Sequence, residues 1–438
     1  MRRAVLLILL AMCWMAAAVD AQEAGKGRVW VGSWASSQQV PEPGNALPES
    51  DMTDMTMREI FHLSVGGQAV RVRLSNAFGN EPLHFASVHI ARAVPAAPSK
   101  VDPYSIDPGS IEPGSIDPAT DRVVTFAGRT DVMVPAGAEY LSDPVELPVT
   151  GLENVAVTFY LDKTPVGETG HPGSRETTYY EHGDHVADAT LPDAKKVDHW
   201  YEVSGIDVLA PEGAADVVVL GDSITDGHAS TTNGNDRWTD VLAERLQANA
   251  PTRDIGVLNE GIGGNHLLTD GLGPNALARF DRDVLAQAGA RWVIVFEGVN
   301  DLGGLTREGE VPEAEHALLV HRIEAAYAQI VMRAHAAGIK VIGVTITPFA
   351  GSDYYHPGPR TEADREAINK WIRTPGHFDA VLDFDAAMRD PADPDRLRPA
   401  YDCGDHLHPS PKGYRVMGDA VPLELFKQRD EIGISGRQ

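Results

Sequence analysis

The stretch that decides the fold runs from Val217 to Gly227 and reads Val-Val-Val-Leu-Gly-Asp-Ser-Ile-Thr-Asp-Gly. Its apolar half predicts a buried core strand, and turn residues with a helix-like segment follow. Ser223 therefore stands at the carboxyl end of a strand, where open α/β sheets assemble their sites. A lone Gly-Asp-Ser is weak evidence, because Ser and Asp are common turn residues. The meaning of this stretch depends on the rest of the chain.

From Ala215 onward the pattern alternates between strands and helices. The predicted strands are Asp216–Leu220, Ile255–Asn259, Trp292–Phe296, Lys340–Thr345 and Ala380–Phe384. The predicted helices are Asp236–Ala248, Asn275–Ala286, Pro312–Ala337, Glu362–Ile372 and Pro411–Leu423. Asn235 is the predicted cap of the first helix. Alternating units of this kind predict a parallel sheet covered on both faces, in a domain spanning residues 215–428.

Residues 28–210 have a different pattern, with many short strands and no long helix. The predicted strands are Arg28–Ser36, Met57–Leu63, Ala69–Ser75, Leu83–Ala91, Arg122–Phe126, Val145–Val149, Val155–Leu161 and Thr177–Tyr180. Apolar and polar residues alternate clearly in several of them. The pattern predicts an all-β sandwich, jelly-roll-like, with a hinge at Gly205–Gly213 before the second domain.

The segment Asp102–Pro118 repeats Ser-Ile-Asp-Pro-Gly with small variations. A proline every five residues removes the donors that a strand ladder needs, which predicts an exposed acidic loop. Calcium binding is the alternative, but the carboxylates are too widely spaced for a compact oxygen cage.

The amino terminus has the features of a secretory signal peptide over residues 1–21. Arg2 and Arg3 precede an apolar run, and small residues precede a cleavage point before Gln22, with Ala18 as an alternative site. A single membrane anchor is the other interpretation, but the run is short for spanning a bilayer. We therefore expect a secreted or periplasmic protein without stable membrane insertion after removal of the signal.

Composition narrows the class of partners. The 438 residues carry a formal net charge of −26, which argues against binding nucleic acid or anionic membranes. Of two cysteines, Cys403 alone remains after signal removal, so no intramolecular disulfide is expected. Composition does not indicate the oligomeric state.

Three further segments follow Ser223 in order. They are Leu258–Asn265 with glycines after a strand, Phe296–Asp301 ending another apolar strand, and Asp402–Pro409 before the last helix. Acyl transfer needs a nucleophile, a base, a group that orients the base and donors for the oxyanion. Ser223 can be the nucleophile, with His408 as base and Asp405 fixing its tautomer. The Ser223 and Gly264 amides and the Asn300 side chain can form the oxyanion hole.

Together these segments resemble the four blocks of the GDSL/SGNH hydrolase family, over about residues 215–425. The resemblance implies a flavodoxin-like three-layer α/β/α fold and a serine esterase without metal or other cofactor. It gives Ser223, Gly264, Asn300 and His408 the four family roles, with Asp405 completing the triad. The stretches Trp30–Ser36 and Val70–Gly79 also resemble the β-domain that precedes some secreted members.

Within this interpretation, two assignments have alternatives. His406 is an alternative base and Asp402 an alternative orienting acid, but Asp405 at i−3 of His408 matches the family spacing. Tyr354, Tyr355 and His356 lie on a loop at the predicted crevice rim and are candidate substrate-binding residues.

The favoured substrate is a small or polysaccharide ester, in particular a short-chain or acetyl ester on a carbohydrate. A lipase or lysophospholipase of the same family is the first alternative. A metal-dependent phosphoesterase is the second, suggested by Gly264-Asn265-His266, Asp226-Gly227-His228 and His406-Leu407-His408. A non-catalytic carbohydrate-binding protein is the third. The α/β-hydrolase fold is disfavoured because no Gly-x-Ser-x-Gly elbow occurs.

Overall fold

The computed structural model describes residues 27–94 and 114–427. The predicted signal peptide and most of the acidic repeat lie outside the described residues. No helix among the described residues has the length and apolar content that crossing a bilayer requires.

The first half of the described chain is an antiparallel β region with its own apolar core. Its main units are a four-stranded sheet in the order β1-β14-β3-β8 and a six-stranded sheet in the order β12-β11-β2-β9-β5-β6. The strands are β1 Arg28–Ala35, β2 Met55–His62, β3 Val70–Ser75, β4 Leu83–Phe85, β5 Ser87–Arg92, β6 Arg122–Val123, β7 Val132–Val134, β8 Glu139–Leu141, β9 Asn154–Leu161, β10 Gly170–His171, β11 Thr178–His182, β12 Lys195–Val197, β13 Trp200–Tyr201 and β14 Val203–Pro211.

The second half contains a five-stranded parallel sheet in the order β16-β15-β17-β18-β19. Its strands are β15 Ala215–Gly221, β16 Ile255–Gly261, β17 Ala290–Phe296, β18 Lys340–Val344 and β19 Ala380–Leu382. Numbered within this half, the order is 2-1-3-4-5, which is the flavodoxin-like arrangement. Val217, Val218 and Val219 of β15, an interior strand, are fully buried, as expected for a strand covered on both faces. The α/β prediction is confirmed.

Two groups of helices surround this sheet. The helices are α1 Ser223–Asp226, α2 Trp238–Ala248, α3 Ala276–Phe280, α4 Val299–Thr306, α5 Glu313–Ala336, α6 Pro359–Arg373, α7 Phe384–Met388 and α8 Pro411–Ala420. Helices α2, α7 and α8 pack together, and α5 packs on α6. A hairpin of β20 Arg389–Asp390 and β21 Asp393–Leu397 follows α7, and short 3₁₀ or π turns occupy Glu49–Asp51, Pro118–Thr120, Asp281–Leu285 and Leu423–Phe426.

Several predicted boundaries are wrong, each for a local reason. The predicted hinge Gly205–Gly213 lies mostly inside β14, where Gly205 marks a β-bulge and not a flexible joint. Asn235 does not cap a helix; α2 begins at Trp238, and the Arg237 amide donates to Asp240 at 2.9 Å. Residues Val145–Val149 form only isolated bridges, because Pro144 before the segment and Pro148 within it lack the N–H that a strand ladder needs.

Other predicted elements end early because a capping residue or turn intervenes. The predicted helix Asn275–Ala286 divides into α3 and the π turn, with Asn275 as the cap of α3. The predicted strand Ala380–Phe384 stops at Leu382, since Asp383 caps α7. The last helix ends at Ala420 rather than Leu423.

The β region covers the free edge of the parallel sheet. The Gly32 amide of β1 donates to the Asp216 carboxylate at 2.7 Å, and the Val257 amide of β16 donates to the Ser64 hydroxyl at 2.9 Å. A Cβ on Gly256 would lie 2.4 Å from the Gly32 carbonyl oxygen, so the backbones approach closely here. The other half of the chain thereby provides an acceptor for one amide of the edge strand β16.

Candidate active site

Ser223 lies at the point where β15, an interior strand of the parallel sheet, turns into a short helix. Strand β15 ends at Gly221, and the Asp222 carboxylate caps α1 by accepting the Ile224 amide at 2.9 Å. Burial raises the pKa of Asp222, and the cap hydrogen bond opposes that effect. Ser223 is the first residue of α1, so its own N–H belongs to the set that has no acceptor within the helix.

A chain of hydrogen bonds connects Ser223 with the loop before α8. The Ser223 hydroxyl lies 2.8 Å from His408 Nε2, and His408 Nδ1 lies 2.6 Å from Asp405 Oδ2. Asp405 Oδ1 accepts the backbone amides of Leu407 and His408 at 2.9 and 2.8 Å. The structure therefore brings together the three residues predicted as nucleophile, base and orienting acid.

The protonation pattern follows from these contacts. Partial burial alone would raise the pKa of Asp405, but the hydrogen bonds from the His408 ring and backbone hold it well below its usual value. Asp405 is thus an acceptor, so His408 Nδ1 carries the ring proton. The lone pair of Nε2 then faces the Ser223 hydroxyl, which is the orientation that a general base needs.

The predicted oxyanion donors gather at the same edge of the sheet. Asn300, the second residue of α4, is buried, and its Nδ2 donates to the Asn265 carbonyl at 2.6 Å. A carboxamide nitrogen has two protons, so one remains for a ligand. The Gly264 backbone has a φ of +68°, a conformation that glycine adopts without strain.

The loop that carries Gly264 is held by two buried charged residues. Asp301 accepts the Leu267 and Leu268 amides at 2.8 and 3.0 Å. Arg279 donates to the Asn265 side chain at 3.0 Å and to the carbonyls of Gly221 and Glu260 at 2.9 and 2.6 Å. Arg279 thus ties this loop to the ends of β15 and β16.

The alternative base and the alternative acid pair with each other. His406 Nδ1 lies 2.6 Å from Asp402 Oδ2, and the His406 side chain is 45% exposed. His408 and Asp405 form a separate pair beside it. The geometry favours His408 over His406 as the partner of Ser223.

The predicted substrate-binding residues have three different environments. Tyr355 is buried, and its hydroxyl donates to Asn300 Oδ1 at 2.5 Å. Tyr354 is exposed, with the Arg307 guanidinium 4.1 Å from its ring centroid, and His356 is exposed on the next turn. Tyr355 therefore uses its hydroxyl within the protein, whereas Tyr354 and His356 remain candidates for contact with substrate.

The metal-dependent alternative predicted His and Asp ligands from three segments, Asp226–His228, Gly264–His266 and His406–His408. Among residues 27–94 and 114–427, the groups with converging ligand atoms are His228–Asp405–His408 and Asp402–Cys403–Asp405. The first group contains His228 and His408 of those segments, and neither group contains Asp226, His266 or His406. His228 stacks on His408 with ring centroids 4.1 Å apart, and burial, followed by the nearby His408, lowers the pKa of His228 to about 4.

Sequence reasoning did not identify two residues close to this site. Arg279 is a charged residue on the buried face of a predicted helix, and that position was its available signal. His171 comes from the β region and pairs with Asp226 of α1. No local pattern marks this pair, because its two members belong to different halves of the chain.

Comparison with known proteins identifies the family of the second half. The family model described as GDSL-like Lipase/Acylhydrolase matches residues 219–416. A search of curated proteins gave no match.

Solved structures similar to the chain include three bacterial proteins. A GDSL-family lipolytic protein (putative in its description) from Desulfitobacterium hafniense is 24% identical with a TM-score of 0.36, covering 47% of this chain and 97% of its own. A GDSL-like lipase from Bacteroides thetaiotaomicron is 20% identical with a TM-score of 0.34, covering 47% and 84%. A variant of an acetyl xylan esterase from Geobacillus stearothermophilus is 22% identical with a TM-score of 0.34, covering 48% and 93%.

The family model includes Ser223, Gly264, Asn300 and His408, which the structure gathers at one edge of the parallel sheet. Residues 219–416 are thus a domain of the GDSL-like lipase/acylhydrolase family, and the chain is a carboxylic ester hydrolase.

Proposed function

We propose that this chain is a serine esterase that removes short acyl groups, acetyl in particular, from carbohydrate esters. Ser223 Oγ attacks the ester carbonyl while His408 Nε2 takes its proton. The developing oxyanion accepts hydrogen bonds from the Ser223 and Gly264 amides and from Asn300 Nδ2. His408 then protonates the departing alcohol, and water attacks the acyl-enzyme to release the acid and restore Ser223.

The observation that most supports this mechanism is the unbroken chain Ser223–His408–Asp405, with links of 2.8 and 2.6 Å. Each link has the donor and acceptor that proton transfer requires, and the acid stays ionised. The neutral state of His228 beside the base avoids a second positive charge when His408 takes up the proton.

The small residues next to the Gly264 amide support a short acyl group. Gly263 and Gly264 border the site, and the Leu272 side chain lies beside Gly264, where an added Cβ would be 2.9 Å from it. Long acyl chains need an extended apolar cavity to bury their methylene groups. An acetyl group needs no such cavity.

Ser223→Ala tests the nucleophile. We expect turnover of p-nitrophenyl acetate to fall by roughly 10³-fold or more, because only oxyanion binding and positioning remain. A near-native rate in this variant, with an unchanged melting temperature, would refute the acyl-enzyme mechanism.

His408→Ala and His406→Ala form a matched test of the base. The first should lose roughly 10³-fold in kcat, whereas the second should stay within a few-fold of the native enzyme. The reverse order would assign proton transfer to the His406–Asp402 pair.

The substrate class is tested with p-nitrophenyl acetate, butyrate, octanoate and palmitate, together with acetylated xylan. We expect kcat/KM to fall with chain length and acetate to be released from the polysaccharide. Preference for octanoate or palmitate would support the lipase alternative instead.

We also propose export of the protein, on the strength of the basic, apolar and small-residue pattern at residues 1–21. Cell fractionation with mass spectrometry of the amino terminus tests this, and a retained Met1 on an intracellular product would contradict it.

A further inference from the structure

A histidine of the β region, His171, contacts the helix that carries the nucleophile. His171 lies in β10, and its Nε2 is 2.9 Å from Oδ1 of Asp226, the last residue of α1. Both side chains are 4% exposed. The two residues are 55 positions apart in sequence and come from opposite halves of the chain.

Counting protons defines the character of this contact. His171 Nδ1 lies 2.7 Å from the Ser37 carbonyl oxygen, which can only accept, so Nδ1 carries a proton. Nε2 faces a carboxylate oxygen, so a second proton lies between Nε2 and Oδ1. Nε2 and Oδ1 therefore share a proton in a hydrogen bond held away from water, where such a bond is stronger than in solvent. The Trp200 ring, with its centroid 5.7 Å from that of His171, packs on the imidazole.

Helix α1 needs such an external contact because it has only four residues. Helices this short are not stable by themselves. Asp222 holds the amino end, as described above. At the carboxyl end, the Asp226 carbonyl accepts Arg237 Nε at 2.9 Å, and His171 binds the Asp226 side chain.

The space around Asp226 leaves little freedom for movement. A Cβ on Gly173 would lie 2.0 Å from Asp226 Oδ2, and one on Gly261 would lie 2.3 Å from the Asp226 amide nitrogen. The β-region segment that follows His171 is thus packed directly against α1. A shift of Asp226 would move Ser223, three residues earlier in the same turn.

We propose that His171 is a positioning residue for the nucleophile: through Asp226 it fixes helix α1 and hence the Ser223 hydroxyl relative to His408. The β region is then part of the catalytic machinery and not an appendage. This inference rests on the proposed role of Ser223. His171 touches no reacting atom, so its effect should appear in kcat more than in KM.

Asparagine and glutamine at position 171 separate the two hydrogen bonds. The Gln amide nitrogen lies near the position of Nε2 and can still donate to Asp226, whereas the Asn nitrogen lies near Nδ1 and can donate only to Ser37. We expect His171→Asn to lower kcat for p-nitrophenyl acetate by about tenfold or more with little change in KM, since small misplacements of a reacting group cost up to 10²-fold. His171→Gln should recover most of that loss.

Asp226 provides a second, independent pair of variants. Asp226→Asn can donate its amide to a neutral His171 and should keep most of the activity, whereas Asp226→Ala removes the contact and should lower kcat as His171→Asn does. These variants keep the test open if a substitution at position 171 fails to fold.

His89→Asn and His89→Gln are the matched controls. His89 lies on β5 in the six-stranded sheet, and its Nδ1 is 2.8 Å from Asp121. Here Asn can keep the hydrogen bond to Asp121 and Gln cannot, and both variants should leave kcat at the native level, even if the melting temperature falls.

Two results would overturn the inference. The first is a native kcat in both His171→Asn and Asp226→Ala when these variants are folded. The second is an equal decrease of kcat in His171→Asn and His171→Gln that parallels a decrease of their melting temperatures. Ser223→Ala is measured alongside. An inactive Ser223→Ala with a normal His171→Asn refutes only the positioning role, whereas an active Ser223→Ala refutes the proposed function itself.

Discussion

Both polar atoms of the Asn300 carboxamide form hydrogen bonds within the protein, and these bonds fix which atom faces a ligand. Its oxygen accepts the Tyr355 hydroxyl at 2.5 Å, and its nitrogen donates to the Asn265 carbonyl at 2.6 Å. A hydroxyl bound to the oxygen fixes the amide orientation, since the reversed carboxamide would place two donors together. The remaining N–H proton is thereby available for the developing oxyanion.

Tyr355→Phe should lower kcat by about tenfold, because the carboxamide loses its orienting donor while Asn300 itself remains. Tyr140→Phe, at an exposed tyrosine of β8, is the control and should leave kcat unchanged. In an Asn300→Ala background, Tyr355→Phe should have little further effect. An equal loss in both backgrounds would show that Tyr355 acts independently of Asn300.

The sequence predicts much of this site because its chemistry is local. Ser223, Gly264 and Asn300 each follow a strand of one parallel sheet, so sheet geometry alone brings them together. Asp405 and His408 lie three residues apart. Tyr355 was predicted at the rim but points inward, because a loop position does not show which way a side chain faces.

Strand β16 lies at the edge of the parallel sheet, and the β region covers its outer side. Ser64 satisfies the Val257 amide, and Gly256 allows the Gly32 carbonyl to come close. The backbones of β1 and β16 are so close at Gly256 that a side-chain atom added there would have to displace the backbone of Gly32.

Gly256→Ala should lower the free energy of unfolding by about 1–3 kcal/mol, as overpacking does where the neighbour is backbone. Gly44→Ala is the control, since an added Cβ there meets no atom within 4 Å. Urea unfolding followed by tryptophan fluorescence measures both. Equal stability of the two variants would show that the two halves can separate slightly at no cost.

This cover and the His171–Asp226 pair are features that the sequence does not reveal. Alternation identifies β1 and β16 as strands but not which edges meet. The predicted hinge failed for the same reason: Gly205 indicates flexibility locally, yet β14 is paired on both sides. Contacts between distant parts of the chain decide these outcomes.

Acidic side chains are buried where the two halves of the chain meet. Burial raises the pKa of Asp216 to about 8 and that of Glu176 to about 8, although Arg237 opposes the latter. Glu176 lines a cavity of about 40 Å³ between the halves, together with His171 and Asp226. The folded chain therefore binds protons that the unfolded chain has already released.

The free energy of unfolding should decrease as the pH rises from about 4.5 to 8. Over this range the folded state binds more protons than the unfolded state, because Asp216 and Glu176 have raised pKa values in the folded protein. Their contribution to stability is complete below their pKa values in the unfolded chain, and it is lost as the pH rises through their pKa values in the folded chain. Glu176→Gln should reduce the dependence of the free energy of unfolding on pH. Between pH 5 and 8, the free energy of unfolding of the variant should rise relative to that of the native protein by about 1 kcal/mol or more. Glu146→Gln, at an exposed acid, should leave the slope unchanged. A native slope in Glu176→Gln would mean that Glu176 stays ionised in the folded protein.

Only Glu212, Gly213 and Ala214 separate β14 from β15. A tether this short allows neither half to swing away and return. For protein engineering, the consequence is that the halves are not interchangeable cassettes. A chimera made by splicing at this junction would have to inherit both partners of each cross-boundary pair, Ser64 with the Val257 amide and His171 with Asp226, to remain an active catalyst.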